Sequence, residues 1–438
     1  MTGDDITALD ARHVWHPFTQ ARTAAPPIPI RSGRGSRLLA DDGREFVDLI
    51  SSWWVTLHGH AEPAIARAIA EQAATLEQVI FAGFTHAPAA RLAARLTGLL
   101  PKNLTRVFFS DDGSTSVEVA LKLALQYWRN RGQPRGRMLA FAGAYHGDTF
   151  GAMAAGRSSG FYAPFEDKLF PVDFIPFPAT WIDDPEVAVK EAASLAAFDT
   201  WLGRHAKDAA ALVVEPLVQG AAGMRMCRPA FLQALVGRAR AAGVLVAFDE
   251  VMTGFGRTGR YFACDSAGVA PDIICLSKGL TGGFLPMAAT VCTETIYEAF
   301  LDAGFDKAFA HGHSYTANPL GCAAALASLD LLENAETIRR LAAIGAAHAA
   351  GLARFGDCKS VTRRRQTGTI AAVTLPAADP GYSAAIGRRA AAFFLERGLF
   401  IRPIGNELYF LPPFCTTEAE LARAYATLGE FVAADAVK

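Results

Sequence analysis

Net charge is almost absent from this chain: 42 Lys and Arg stand against 43 Asp and Glu, leaving −1 with histidine neutral. So even a balance gives no electrostatic case for nucleic acid or for an anionic membrane surface. Long apolar runs are missing too. No stretch reaches the roughly 18 apolar residues of a membrane helix. The opening MTGDDITALD is acidic and lacks the charged-then-apolar layout of a signal peptide, so a cytoplasmic setting is expected. Cysteine is scarce: seven residues, an odd number with no CxxC, which points to reduced thiols rather than a disulfide framework. There is no internal repeat, and no low-complexity tract beyond alanine-rich helices. No G-x-G-x-x-G follows the early strands; DDGSTS stands there instead, which argues against a nicotinamide enzyme. No helix-turn-helix or basic arm supports a DNA-binding regulator.

What is present is a large potential core. Over 438 residues, 51% are hydrophobic and 19% charged, enough for a globular enzyme of two domains. The most informative stretch runs from Gly243 to Gly283. Val244–Phe248 and Ile273–Leu276 are β-branched runs flanked by Gly or Pro, as buried parallel strands are. The first ends in Asp249 and Glu250, the second in Ser277, Lys278 and Gly279. Ligands of open α/β sheets sit beyond the carboxyl ends of the strands. An acid and a lysine there would share one crevice. An amine that condenses with an aldehyde, and a carboxylate that keeps a pyridine nitrogen protonated, are the groups pyridoxal phosphate requires.

Other segments add to that crevice. Val107–Phe109 reads as a strand leading into Gly113, Ser114 and a helix, a turn that offers N–H groups and a positive dipole end to the cofactor phosphate. Thr115 and Glu118 have capping-box spacing. Tyr145 lies just past a strand end, where its ring could stack on a pyridine face. His146 and Asp148 read as residues that hold that loop together. Glu215 ends the strand Ala211–Val214. The stretch from Ser158 to Trp201 reads as irregular and as a candidate lid. Ile30, Leu38–Leu39 and Phe46–Leu49 with a DDGR turn suggest a short β-meander, and Ala87–Leu100 an amphipathic helix. HGH occurs at His58–His60 and again at His311–His313, but no further ligands cluster near either to complete a metal site. After about Ala325 come Ala/Leu/Arg helices, then strands near Ile370–Leu375 and Glu407–Leu411. Arg402 stands among apolar and turn residues and is expected on a β segment facing the crevice, where a guanidinium can take a carboxylate.

Ten motifs carry a resemblance over nearly the whole chain: WHPFT, SSWW, HGH, THAPA, YHGDTFGAM, EPLVQGAAGM, DEVMTGFGRTG, SKGLTGG, HGHSYTANPLGCAA and IRPIG. The chain resembles the class III aminotransferases of fold-type I. That resemblance implies an α/β enzyme whose large domain has a mostly parallel seven-stranded sheet, with a smaller α+β domain. Residues 1–58 would be an arm and part of the small domain, 59–324 the large cofactor domain, and 325–438 the carboxyl-terminal small domain. It implies pyridoxal phosphate on Lys278, with Asp249 at the ring nitrogen, Tyr145 on the ring face and Gly113 and Ser114 at the phosphate. Glu215 would lie near the ring hydroxyl and hold an arginine, with Arg257 as candidate. Gly312, His313 and Ser314 would reach the other subunit's phosphate across a homodimer. The implied substrate is 8-amino-7-oxononanoate, made into 7,8-diaminononanoate on the way to biotin, in a pocket walled by Phe18, Trp53 and Trp54 with Arg402 on the carboxylate. Members that use S-adenosylmethionine carry tyrosine where Phe18 stands. Members that use lysine carry phenylalanine, so both donors stay open. The nearest alternative is an ω-amino acid:pyruvate or ornithine-type aminotransferase.

Overall fold

A computed structural model describes residues 3–157 and 160–435. Its centre is a seven-stranded sheet in the order Leu104–Ser110, Ala288–Thr293, Ile273–Leu276, Leu245–Asp249, Ala209–Val214, Arg137–Phe141, Asp173–Ile175. Four neighbouring pairs are parallel, and Ala288–Thr293 runs against both of its neighbours. The central strands are buried along their length, as expected of apolar runs covered on both faces. One cover is the helix Gly113–Asn130, which buries Val117, Leu121, Ala124 and Trp128 against the sheet. Trp128 also donates its indole N–H to the Ala210 carbonyl at 2.9 Å.

Two smaller sheets bring the chain ends together. Ile30–Arg34, Arg37–Ala40 and Glu45–Asp48 form the expected meander, and Leu399–Phe400 pairs parallel to its last strand. Parallel pairing sets both strand ends on one side, so SSWW and IRPIG emerge next to each other. Arg363–Thr367, Ile370–Thr374 and Glu407–Phe410 make a separate antiparallel sheet. At its hairpin, Gly368 has φ +53, and a Cβ would lie 2.2 Å from the backbone of Thr258 and Gly259. Only glycine fits there.

Three expectations need correction. The stretch from Ser158 to Trp201 is not irregular: it holds the edge strand Asp173–Ile175 and much of the helix Val187–His205. Residues 158 and 159 lie outside the described residues. The capping box belongs to Asp112 and Thr115, not to Thr115 and Glu118. Arg402 lies in the connection after Leu399–Phe400 rather than on a strand.

Candidate active site

Strand ends converge where the alternation of strand and helix predicts a crevice. Asp249 ends its strand, and its carboxylate is pinned on both sides. Oδ2 meets Nδ1 of His146 at 2.7 Å, and Oδ1 accepts the Val251 N–H at 3.0 Å. Burial opposes charge on His146, and the hydrogen bond and charge of Asp249 outweigh it, so the imidazole is shifted up. Glu250, the neighbouring acid, points away: it accepts the N–H groups of Ala263 and Cys264 and caps a short helix.

Lys278 begins a 3-10 turn directly after Ile273–Leu276 and Ser277, in a left-handed backbone conformation with φ 42. A bulky residue held there marks a constraint imposed by its surroundings. Its residue is half-buried, and its amine lies 5.4 Å from the Trp54 ring. Burial lowers its proton affinity, and the charges of Asp249 and Glu215 restore part of it.

Glu215 is buried as well, but Arg257 is not its partner. Glu215 accepts the backbone N–H of Tyr145 and of Gly220, each at 3.1 Å. Arg257 donates instead to the carbonyls of Pro412 and Thr56. Desolvation outweighs the nearby His146 and pushes the Glu215 carboxyl up to about 7. Tyr145 keeps its hydroxyl on Asp148 at 3.0 Å, and burial raises its pKa. Asp148 thus holds the loop, as expected. His146 does more than that, because it braces the carboxylate of Asp249.

Gly113, Ser114, Tyr145, Glu215, Asp249 and Lys278 all line one cavity of about 650 Å³. The first N–H groups of the helix Gly113–Asn130 have no partner within the helix and face this space. Ser114 is tied to Thr149, whose hydroxyl donates to Glu118 at 2.6 Å. The lining is deliberately thin here: a Cβ on Gly113 would meet Val251 at 2.6 Å, and one on Gly147 would meet Ser114 at 2.3 Å. An anion-binding helix end, a braced carboxylate and a buried amine around one chamber fit pyridoxal phosphate.

A second cavity of about 380 Å³ opens from the same lysine, sharing Trp54, Val55 and Tyr145 with the first. Phe18, Trp53 and Arg402 line it. Phe18 packs edge-on against Trp53 at 5.7 Å and Phe161 at 6.1 Å, and the Arg402 guanidinium lies 4.8 Å from the Trp53 ring. Trp54 is fixed by its N–H bond to the Tyr409 hydroxyl at 2.9 Å. Gly312, His313 and Ser314 line neither cavity of their own chain; His313 lies 3.0 Å from Asp111. Among the described residues no group of three or more His, Cys, Asp or Glu could hold a metal, and no helix is long and apolar enough to cross a membrane. All seven cysteines are free.

With this geometry the chain is a class III aminotransferase: residues 19–432 match that family, and the chain belongs to it. Among its relatives, the adenosylmethionine-8-amino-7-oxononanoate aminotransferase of Synechococcus elongatus is 58% identical over 420 residues, covering 96% of this chain and 98% of that protein. The protein of the same name from Mycobacterium leprae is 40% identical over 98% of this chain and 97% of its own length. The crystal structure of the Methanocaldococcus jannaschii protein of that name superposes with a TM-score of 0.91 at 33% identity, covering 98% of each chain. An amine transaminase from an uncultivated Pseudomonas species, solved with PLP bound, gives 0.89 at 32%, covering 96% of this chain and 98% of that one.

Proposed function

We propose that this enzyme uses pyridoxal phosphate to move an amino group from S-adenosylmethionine to 8-amino-7-oxononanoate, giving 7,8-diaminononanoate. One observation carries the reading: Lys278 stands where an anion-binding chamber meets an aromatic vestibule that ends in a guanidinium. A nine-carbon acid with a terminal carboxylate matches an apolar channel closed by Arg402. The names of the relatives point to the same substrate.

Bound in the chamber, the cofactor would supply an aldehyde and an electron-withdrawing ring. The chain's own groups do the rest. Asp249 holds a proton on the atom it faces, because an anion within hydrogen-bonding distance favours the charged form of its partner. His146 holds that carboxylate in orientation. Lys278, its amine easily neutralised by burial, takes the proton from the substrate carbon and returns it on the other side of the transfer. Gly113 and Ser114 fix the anionic end, and Tyr145 covers one face of the chamber.

The ring-lined vestibule suits a sulfonium donor, since aromatic faces attract cations. We further propose a homodimer in which Gly312, His313 and Ser314 complete the partner's chamber. Exposed Ile80, Phe84 and Tyr315 lie on two segments tied by the bond from Gln78 to the Ser314 carbonyl, and they support such an interface. The division into 1–58, 59–324 and 325–438 is supported by the separate sheets, and a cytoplasmic location by the free thiols.

The test is a donor screen on purified holoenzyme. Diaminononanoate formed from the oxo acid with adenosylmethionine is the expected product. Lys278→Ala should lose about 10²–10⁴-fold in kcat from the missing proton carrier alone. Turnover only with pyruvate or 2-oxoglutarate would replace the substrate assignment with the ω-amino acid or ornithine type. Formation from lysine alone would correct the donor.

A further inference from the structure

Trp53 and Trp54 are neighbours in sequence, yet both face the space beside Lys278. Trp54 lines the chamber and the vestibule, and Trp53 the vestibule alone. In a strand, consecutive side chains point to opposite faces; in a helix they diverge by about 100°. Regular backbone therefore does not turn both indoles to one cavity. This turn does so by leaving the regular regions: Ser51, Ser52 and Trp54 have φ of 53, 59 and 69. Ser52 combines that φ with ψ −101, outside even the left-handed helical well. A run of non-glycine residues in such conformations persists only where its surroundings over-determine it.

The anchor is Asp48, a residue the transfer chemistry leaves unused. Its side chain is fully buried and meets three donors. Oδ1 accepts the Ile50 N–H at 3.0 Å. Oδ2 accepts the Ser52 N–H at 2.6 Å and lies 3.0 Å from Nε2 of His60. Against a carboxylate, which only accepts, His60 presents its Nε2–H. His60 is itself fixed, because its backbone exchanges two hydrogen bonds with Gly35, at 2.7 and 3.1 Å. Gly33 leaves it room: a Cβ there would lie 2.7 Å from the His60 Cβ. Ser51 adds a bond from its hydroxyl to the Leu411 carbonyl at 2.7 Å. So held, the two indoles bridge the ends of the vestibule. The Trp54 ring lies 5.4 Å from the Lys278 amine, and the Trp53 ring 4.8 Å from the Arg402 guanidinium.

We propose that Asp48, braced by His60, is a positioning residue for the oxo acid. It holds the strained turn so that Trp53 and Trp54 form a wall of fixed length from the lysine to the arginine, and that wall selects the length of the carbon chain. Asp48 and His60 line neither the chamber nor the vestibule, so both act through the indoles. The proposal rests on the oxo acid as substrate.

The experiment compares 8-amino-7-oxononanoate with its homologue one methylene shorter, on purified holoenzyme. Wild-type kcat/KM should favour the nine-carbon acid by about tenfold or more. Asp48→Asn sets an amide N–H group against one of the three donors, and the preference should disappear, with KM rather than kcat carrying the change. His60→Leu should act in the same direction and serves alone if Asp48→Asn does not fold. His60→Gln keeps an N–H for Asp48 and should keep the wild-type preference. Hydrogen exchange of the amides from residue 50 to residue 56 should be faster in Asp48→Asn and His60→Leu than in the wild type. A lowered melting temperature with the chain-length preference intact would make Asp48 a structural residue only and overturn the proposal. So would a wild type that treats both lengths alike, or unchanged exchange in the turn. A wild type that aminates neither oxo acid refutes the transfer reading instead, and the clamp on the turn then stands or falls by the exchange alone.

Discussion

Three ionisable groups removed from water by burial decide the acid–base behaviour of the chamber: Lys278, Glu215 and His146. For Glu215 the cause is burial, and the folded value of about 7 lies above the ordinary 4.5. Below pH 4.5 the carboxyl is protonated in both states and its contribution to stability is fully present. As pH rises, the unfolded chain ionises first, so stability is lost until the folded group also ionises near 7. His146 acts in the same sense: its proton is held more tightly in the folded protein, so its ion pair stabilises below 6.5 and fades as pH rises through the raised value. The apoenzyme should therefore lose thermal stability as pH rises from 4.5 to about 7, and Glu215→Gln should flatten the decline. Circular dichroism melts at several pH values read this directly. A wild-type and a Glu215→Gln protein with identical pH slopes would show that the buried carboxyl is not the source.

At the scale of elements, the helix Gly113–Asn130 does two jobs: it covers the sheet and offers its first turn to the chamber. Gly113→Ala sets a methyl 2.6 Å from Val251 Cγ1, so the helix end or the valine must move. Overpacking of this kind costs about 1–3 kcal/mol and here displaces the N–H groups from the anion. The expected result is a cofactor Kd raised about tenfold or more, with a modest drop in melting temperature. Unchanged affinity would mean that this turn does not hold the phosphate. This element was legible in the sequence because a strand, a Gly-Ser turn and a periodic helix follow one another within a short stretch. Asp249 and Lys278 were legible for a related reason: parallel strands are continuous apolar runs, and a charged residue at the end of one is chemically conspicuous. The His146–Asp249 pair was not, since 103 residues separate the partners and only the fold joins them. Arg257 was misassigned because carbonyl acceptors such as those of Thr56 and Pro412 carry no side-chain signal. The segment up to Trp201 looked irregular because proline and phenylalanine obscured an edge strand only three residues long.

Across the whole molecule, the chain ends meet: Leu399–Phe400 adds to the meander of residues 30–48, and this places Arg402 over Trp53. The sequence shows both motifs but not their adjacency, which depends on a strand pairing across about 350 residues. The same holds for Gly312, His313 and Ser314, whose motif is plain while their own cavities lie elsewhere. If the loop serves the partner subunit, a two-fold dimer has two chambers, each with Lys278 from one chain and Gly312 from the other. Nothing lies within 4 Å of a Cβ built at Gly312, so Gly312→Trp leaves its own subunit folded and blocks the neighbour's chamber. Lys278→Ala chains and Gly312→Trp chains are each inactive as homodimers. Mixed, half the dimers are hybrids, and each hybrid has one chamber with both residues intact. Co-expression should thus restore about a quarter of wild-type activity, which steady-state assays of the purified mixture measure. If each chamber were built from one chain, Gly312→Trp would not lose activity to begin with, and mixing would restore none to the lysine variant.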